Sequence, residues 1–197
     1  LEAVIERKIP IAPTLTFQAN MADFGPKIGA NPDLMKLFES ELADSAETMR
    51  KAYDAGVPLL TGSEAGFSMV PYGDWHYREM EVFARHFGLT PLQAIQCATQ
   101  QSAFGLKMLG QTGVLAAGYK ADIIVVDGDP SLDVTVLGKP GAIRHVMVDG
   151  VLKDLSPLPP RKPIPGWRVA SIGRQLTRDI AFGQDATGGP IDIKELH

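Results

Sequence analysis

Residues 31–62 read NPDLMKLFESELADSAETMRKAYDAGVPLLTG, and this stretch decides the fold class. Asn31 can cap a helix, Pro32 suits its first position, and Gly56 can end it in the left-handed conformation that glycine tolerates. Leu34, Leu37, Phe38, Leu42, Met49, Ala52 and Tyr53 share one face at helical spacing, so that face is expected to pack on a sheet. Immediately afterwards "VPLLTG" (57–62) turns apolar and short, as a buried strand does. Upstream, "IPIAPTLTF" (9–17) is a second apolar run, fed by a short helix over 1–7. Strand, long helix, strand predicts a βαβ unit with two parallel neighbouring strands. The segment 19–32 between them reads as a loop, and Gly25 and Gly29 would let it move as a lid.

Downstream, Asp74 can open a helix that runs to about His86, with Gly88 closing it. "TPLQAIQCATQQSAFGLKMLG" begins with a capping box, Thr90 with Gln93, behind Pro91. Its buried face is expected to carry Leu92, Ile95, Thr99, Ala103, Leu106 and Leu109. After Gly110 the pattern changes. "GVLAAGYKADIIVVDGDP" and "IRHVMVDGVLKDL" are short β runs, and Asp149-Gly150 fits a hairpin turn. Beyond Leu155, "SPLPPRKPIPGW" is proline-rich and extended. Three parts follow: 1–110 as an α/β unit, 111–155 as a small β unit, and 156–197 as an extended arm laid over a neighbouring subunit or the first unit.

Composition removes several function classes. The net charge of −4, without a long basic run, argues against a nucleic-acid surface. No apolar stretch approaches the ~20 residues that span a bilayer. The single cysteine, Cys97, permits no internal disulfide, so a reducing, cytoplasmic setting is expected. Cys97 sits among core positions of its helix and reads as packing, not as a nucleophile.

Chemistry is concentrated after residue 60. In "TGSEAG" (61–66) the carboxylate Glu64 stands among small residues where a strand ends, so a ligand can approach it closely. Phe67, Met69, Tyr72 and Trp75 follow on the same loop and offer apolar and aromatic walls for a small molecule, with loop packing as the alternative for each. His76 lies beside them. Across from this loop, Thr14, Thr16, Gln18 and Asn20 are polar residues at or past the end of the 9–17 run.

The order of "AGVPLLTGSEAG", "REMEVFARHFGLTPLQAIQCATQQSAFGLKM", "GVLAAGYKADIIVVDGDP" and "IRHVMVDGVL" resembles the C-terminal part of amidohydrolase-superfamily enzymes, in the imidazolonepropionase- and prolidase-like group. "PYGDWHYREME" is similar to hydrolases of carbamates, thiocarbamates and ureas. The resemblance covers roughly residues 1–153. It implies the C-terminal portion of a (β/α)8 TIM barrel, with 9–17 as strand 7 and 57–61 as strand 8, plus part of a small β-sandwich. It also implies a divalent metal, zinc first among them. Most of the metal's ligands (a His-x-His on strand 1, a carboxylated Lys on strand 4, histidines on strands 5 and 6) have no counterpart in this chain.

Glu64 stands where the family has its strand-8 aspartate, one methylene longer than that residue, with a carboxylate that merely lines the loop, or one altered to disable the enzyme, as the alternatives. The resemblance therefore implies that Glu64 touches the metal, takes a proton from the attacking water and delivers it to the leaving group. Substrate contacts are expected from Phe67, Tyr72, Trp75, His76 and Thr16. The implied activity is metal-dependent hydrolysis of a C–N bond in an amide, carbamate or urea-like small molecule. The alternative is a non-catalytic barrel of the same fold that serves assembly or ligand binding. Two strands leave open edges on both sides. The chain is therefore expected to be a fragment that does not fold alone, completed by the remaining barrel segment on the same polypeptide or a partner chain, and to form a homo-oligomer.

Overall fold

The computed structural model describes residues 1–66, 69–156 and 176–183. Helix α1 (Glu2–Arg7) leads into an extended segment in which Ile11 forms a parallel bridge with Leu59. The Ile11 amide donates to the Pro58 carbonyl at 3.0 Å, and the Leu60 amide donates to the Ile11 carbonyl at 2.8 Å. The two segments are thus parallel neighbours, as the helix between them requires. That helix, α3 (Pro32–Asp54), starts where expected: Asn31 accepts from the Asp33 amide at 2.9 Å, and Gly56 takes a φ of 79° just past its end.

Neither apolar run forms a strand of its own: the expected strands over 9–17 and 57–61 are reduced to this one bridge, with no third chain beside it among the described residues to extend the pairing. Thr14 adopts a φ of 55°, which takes the chain out of the extended region, and helix α2 (Thr16–Phe24) begins two residues later. A 3-10 turn over Gly25–Ile28 completes the link to α3. The segment expected as a lid loop over 19–32 is therefore mostly helical. α2 has no side-chain cap of its own, so its start carries no local signal.

α3 packs on α2, with Phe17 and Phe38 edge to face at 5.5 Å between centroids. Leu42 and Ala52 are buried, whereas Leu34 and Leu37 at the start of the apolar stripe are exposed. Helix α4 (Arg78–Arg85) starts four residues later than expected. Asp74, the expected opener, instead accepts from the Arg178 amide at 3.1 Å.

The next helical rod is continuous but not uniform. It comprises α5 (Pro91–Gln96), with the Thr90/Gln93 capping box in place, a π-helical turn over Cys97–Gln101, and α6 (Ser102–Gly105). The π turn shifts the helical phase. The rod's buried positions are Ala94, Cys97 and Ala103, while Leu92, Thr99, Leu106 and Leu109, expected inside, are exposed. The π turn also reaches the bridged segment, where the Leu59 amide donates to Gln101 Oε1 at 2.8 Å.

The β unit is an antiparallel sheet of β1 (Ile123–Val126), β2 (Ile143–Val148) and β3 (Val151–Leu152), in that order. Asp149 and Gly150 turn the hairpin with φ of 52° and 79°, the pair of positive angles that such a two-residue turn demands. In the arm, residues 176–183 are not extended. Thr177 caps a short helix, α7 (Arg178–Phe182). Leu176 is fully buried, its carbonyl accepts from Trp75 Nε1 at 2.8 Å, and Phe182 meets Phe24 edge to face. The rest of the arm lies outside the described residues. No described helix is long and apolar enough to cross a membrane.

Candidate active site

The bridge between Ile11 and Leu59 sets two chain ends side by side. Past one lies Thr14, and past the other lie Gly62, Ser63 and Glu64. A Cβ added to Gly62 would stand 3.3 Å from Thr14 Cγ2, so the two ends touch, and glycine is what lets them. Glu64, like Thr14, is a non-glycine residue with a left-handed backbone, at a φ of 48°. Such a conformation is uncommon for a residue with a side chain and concentrates at functional turns. The Glu64 side chain is exposed.

Ser63 and His76 tie the turn to the following loop. His76 Nε2 accepts from the Gly73 amide at 3.3 Å, which assigns the proton of the neutral ring to Nδ1. Nδ1 then donates to Ser63 Oγ at 3.4 Å. Gly66, at a φ of 129°, donates its amide to the Val70 carbonyl at 2.9 Å and lies under the Tyr72 ring. A Cβ there would meet the Tyr72 hydroxyl at 3.0 Å. Ser63, Gly66, Tyr72 and His76 are thus joined in one loop system past the Ile11–Leu59 bridge, and Glu64 lies exposed on its backbone. Phe67, the other expected contact in this loop, lies outside the described residues.

Thr16 and Trp75 are placed elsewhere. Both are fully buried. Trp75 stacks with Tyr77 at 6.3 Å and bonds to Leu176, so it anchors the arm in place of lining a pocket. Met69 is buried too, and its carbonyl accepts from Asn20 Nδ2 at 2.8 Å. Thr16 turns inward because its hydroxyl donates to Glu79 Oε2 at 2.6 Å. Cys97 is buried, and burial pushes its thiol up to about 12, which suits packing and not nucleophilic work.

Glu79 was not singled out by sequence, although a signal existed. It shares the face of α4 with Val82 and Phe83, and a carboxylate on an apolar stripe needs an explanation. The structure supplies one. Glu79 Oε1 accepts from the Leu15 amide and Oε2 from the Thr16 amide, each at 3.0 Å, so it caps α2 from another helix. Burial raises its carboxyl to about 7, while the hydrogen bonds from Thr16 and Leu15 pull it the other way. Beside it, Arg78 is buried between Asp23 and Glu81, and Asp23 also holds Arg85. Burial works to raise Asp23, but its hydrogen bond and charge contact with Arg78, and those with Arg85, keep it below the ordinary value.

Among the described residues, no three His, Cys, Asp or Glu side chains cluster closely enough to hold a metal ion. Glu64 is one hard oxygen donor, the kind a divalent cation accepts, but by itself it does not make a site.

The sequence profile of the Amidohydrolase family matches residues 7–153, well over half of the chain. The chain belongs to the amidohydrolase family. Within it, ochratoxinase from Aspergillus niger is 30% identical over 120 residues, which cover 60% of this chain and 25% of that protein. A solved prolidase complexed with N-methylphosphonate-L-proline superposes with a TM-score of 0.63 at 29% identity, covering 77% of this chain and 36% of that one. The solved structure of A. niger ochratoxinase gives a TM-score of 0.61 at 28% identity, covering 77% and 33%. This amidohydrolase chain thus spans about a quarter of the length of the curated relative and about a third of each solved one. The neighbours imply a TIM-barrel-type fold, and divalent metals are typical of the superfamily.

Proposed function

We propose that this chain contributes strands 7 and 8 and the catalytic carboxylate to an enzyme that hydrolyses a C–N bond in an amide, carbamate or urea-like small molecule. One observation carries the reading. Glu64 stands exposed on a left-handed turn past the Ile11–Leu59 bridge; we read this as the C-terminal end of strand 8, the part of a TIM barrel where catalytic groups gather. In this reading Glu64 accepts the proton of the attacking water and returns it to the leaving nitrogen, so one carboxylate serves as base and then as acid. A divalent metal, zinc in our reading, would supply a polarised carbonyl and a more acidic water. Glu64 would be the one ligand this chain lends it. The remaining barrel segment, on the same polypeptide or a partner chain, would bring the others.

Tyr72 and His76, with Phe67 beside them in sequence, are the proposed substrate contacts. The Nδ1–H of His76, held through Gly73 and Ser63, orients the ring at the rim of this loop. The named activities of the relatives, ochratoxinase and prolidase, lend support to a hydrolase reading.

The test is made in the complete protein. Glu64→Gln keeps size and shape but cannot take a proton, and kcat should fall roughly 100- to 10,000-fold, the range for losing a general base. The fold, read by circular dichroism, should not change. Glu64→Asp should leave measurable turnover if the site is built for a carboxylate. Full turnover in the Gln variant would overturn the assignment and favour the non-catalytic barrel.

A further inference from the structure

We infer that Glu79 is a positioning residue for this active site: its carboxylate fixes the end of strand 7 against which the Glu64 turn is built. The inference rests on the catalytic reading of Glu64.

Three donors converge on one side chain. The Leu15 amide, the Thr16 amide and the Thr16 hydroxyl all give hydrogen bonds to Glu79, which is 0% exposed. They come from the residues that follow Thr14, whose left-handed backbone a β-branched side chain rarely adopts. Such a conformation persists only when its surroundings over-determine it. Glu79 provides that determination across 63 residues of sequence. From Thr14 the path to the site is short. The Thr14 methyl packs over Gly62, two residues before Glu64, whose own backbone is also left-handed. Any shift of Thr14 therefore moves the base of the Glu64 turn.

The chemistry of the position supports a positioning role over plain stability. Val82 and Phe83, on the same face of α4, show what packing alone selects there. A buried carboxylate with no ion-pair partner among the described residues is an expensive substitute, and the neighbouring cation Arg78 is engaged by Asp23 and Glu81. What a carboxylate adds is direction: two oxygens aimed at two adjacent amides set the angle at which α2 leaves the strand. Misplacement of about 1 Å near a reacting centre can cost on the order of 100-fold in rate.

The experiment compares Glu79→Gln with Val82→Ala in the complete protein, both measured well below their melting temperatures. The Gln variant turns one acceptor into an NH2 group facing a backbone N–H. Its kcat is expected to fall about 10-fold or more, with KM within about 3-fold, because binding loops stay in place while the base is misaimed. Amide hydrogen exchange should quicken at Leu15 and Thr16 and also at 62–64. Val82→Ala, which opens a cavity on the same helix, should lower the melting temperature but leave kcat and those amides within about 2-fold.

A Gln variant with unchanged kcat, or a Val82→Ala variant that loses kcat equally, overturns the inference. If the wild type hydrolyses no amide, carbamate or urea tested, the functional reading fails first. The exchange data then decide alone: unchanged protection at 15–16 and 62–64 overturns the positioning role. Should the Gln variant not fold, Glu79→Asp, one methylene shorter, is read by the same criteria.

Discussion

Glu79 should make the stability of this protein depend on pH in a direction opposite to that of most paired carboxylates. Its carboxyl is raised from 4.5 to about 7 in the fold because burial disfavours the charge. A raised value means that the folded state holds the proton more tightly than the unfolded chain does. The contribution is therefore fully present below about 4.5 and is lost as pH rises through about 7. The full span corresponds to about 3 kcal/mol, most of it falling between pH 5 and pH 8.

Other groups titrate nearby, and their signs differ. His86 is lowered, first by burial and then by Arg85, so its contribution is present above its ordinary 6.5 and is lost on acidification. Asp23, facing Glu79's helix from α2, is lowered by Arg78 and Arg85 and changes only in more acid solution. Arg78, Glu81 and Arg85 on α4 are tied up with Asp23 and with one another.

The informative quantity is therefore the difference between wild type and Glu79→Gln, which cancels everything common to both. Thermal melts at pH 5, 6, 7 and 8 and fixed ionic strength give it. The wild type should lose about 2–3 kcal/mol relative to the Gln variant across that window, or about 5–10 °C for a domain of 150–250 residues and less in a longer polypeptide. A difference that stays flat, or one that grows in favour of the wild type as pH rises, would refute the reasoning.

Asp23→Asn removes the charge that Arg78 and Arg85 share, leaving the buried Arg78 with Glu81 alone. A loss of about 3 kcal/mol is expected in denaturant titration, and a change below about 0.5 would show the triad to be energetically idle. Leu176→Ala should cost about 2–4 kcal/mol, because this side chain of the arm is fully buried against the rest of the protein. A melt within 1 °C of wild type would mean that the arm only rests there. Cys97 should react with a thiol reagent orders of magnitude more slowly in the native protein than in denaturant, since its thiol is buried and pushed up to about 12. Rapid native labelling would contradict its burial.

Features written in local chemistry were legible from the sequence. Asn31 and Pro32, Thr90 with Gln93, Gly56, and Asp149-Gly150 each act within a few residues, and each is where its residue type predicts. The position of Glu64 after a short apolar run was legible for the same reason. Features held from a distance were not. α2 starts at Thr16 because a carboxylate from α4 receives its first amides. Trp75 reads as a pocket aromatic until Leu176, 101 residues away, is seen to take its N–H. Thr16 looked available for substrate, but its hydroxyl belongs to Glu79. The apolar run 9–17 predicts a full strand, yet Thr14's backbone turns it, and periodicity carries no information about such a turn.

The π turn at Cys97–Gln101 gives the helical rod a surplus residue, and that has a consequence for length variation. Removing one residue from 97–101 would close the bulge into an ordinary α-helix, and the residues after it would keep their facing, because the π turn spends its extra residue within one turn. Gly105, which lies flush against Leu60, and Ala103, against which Gly113 closes, would meet the same partners. Upstream, Ala94 would keep its place. A gap opposite these five positions in a homologous chain therefore marks loss of the bulge with the heading of the rod retained, whereas a one-residue gap elsewhere in the rod would rotate everything after it by about 100°.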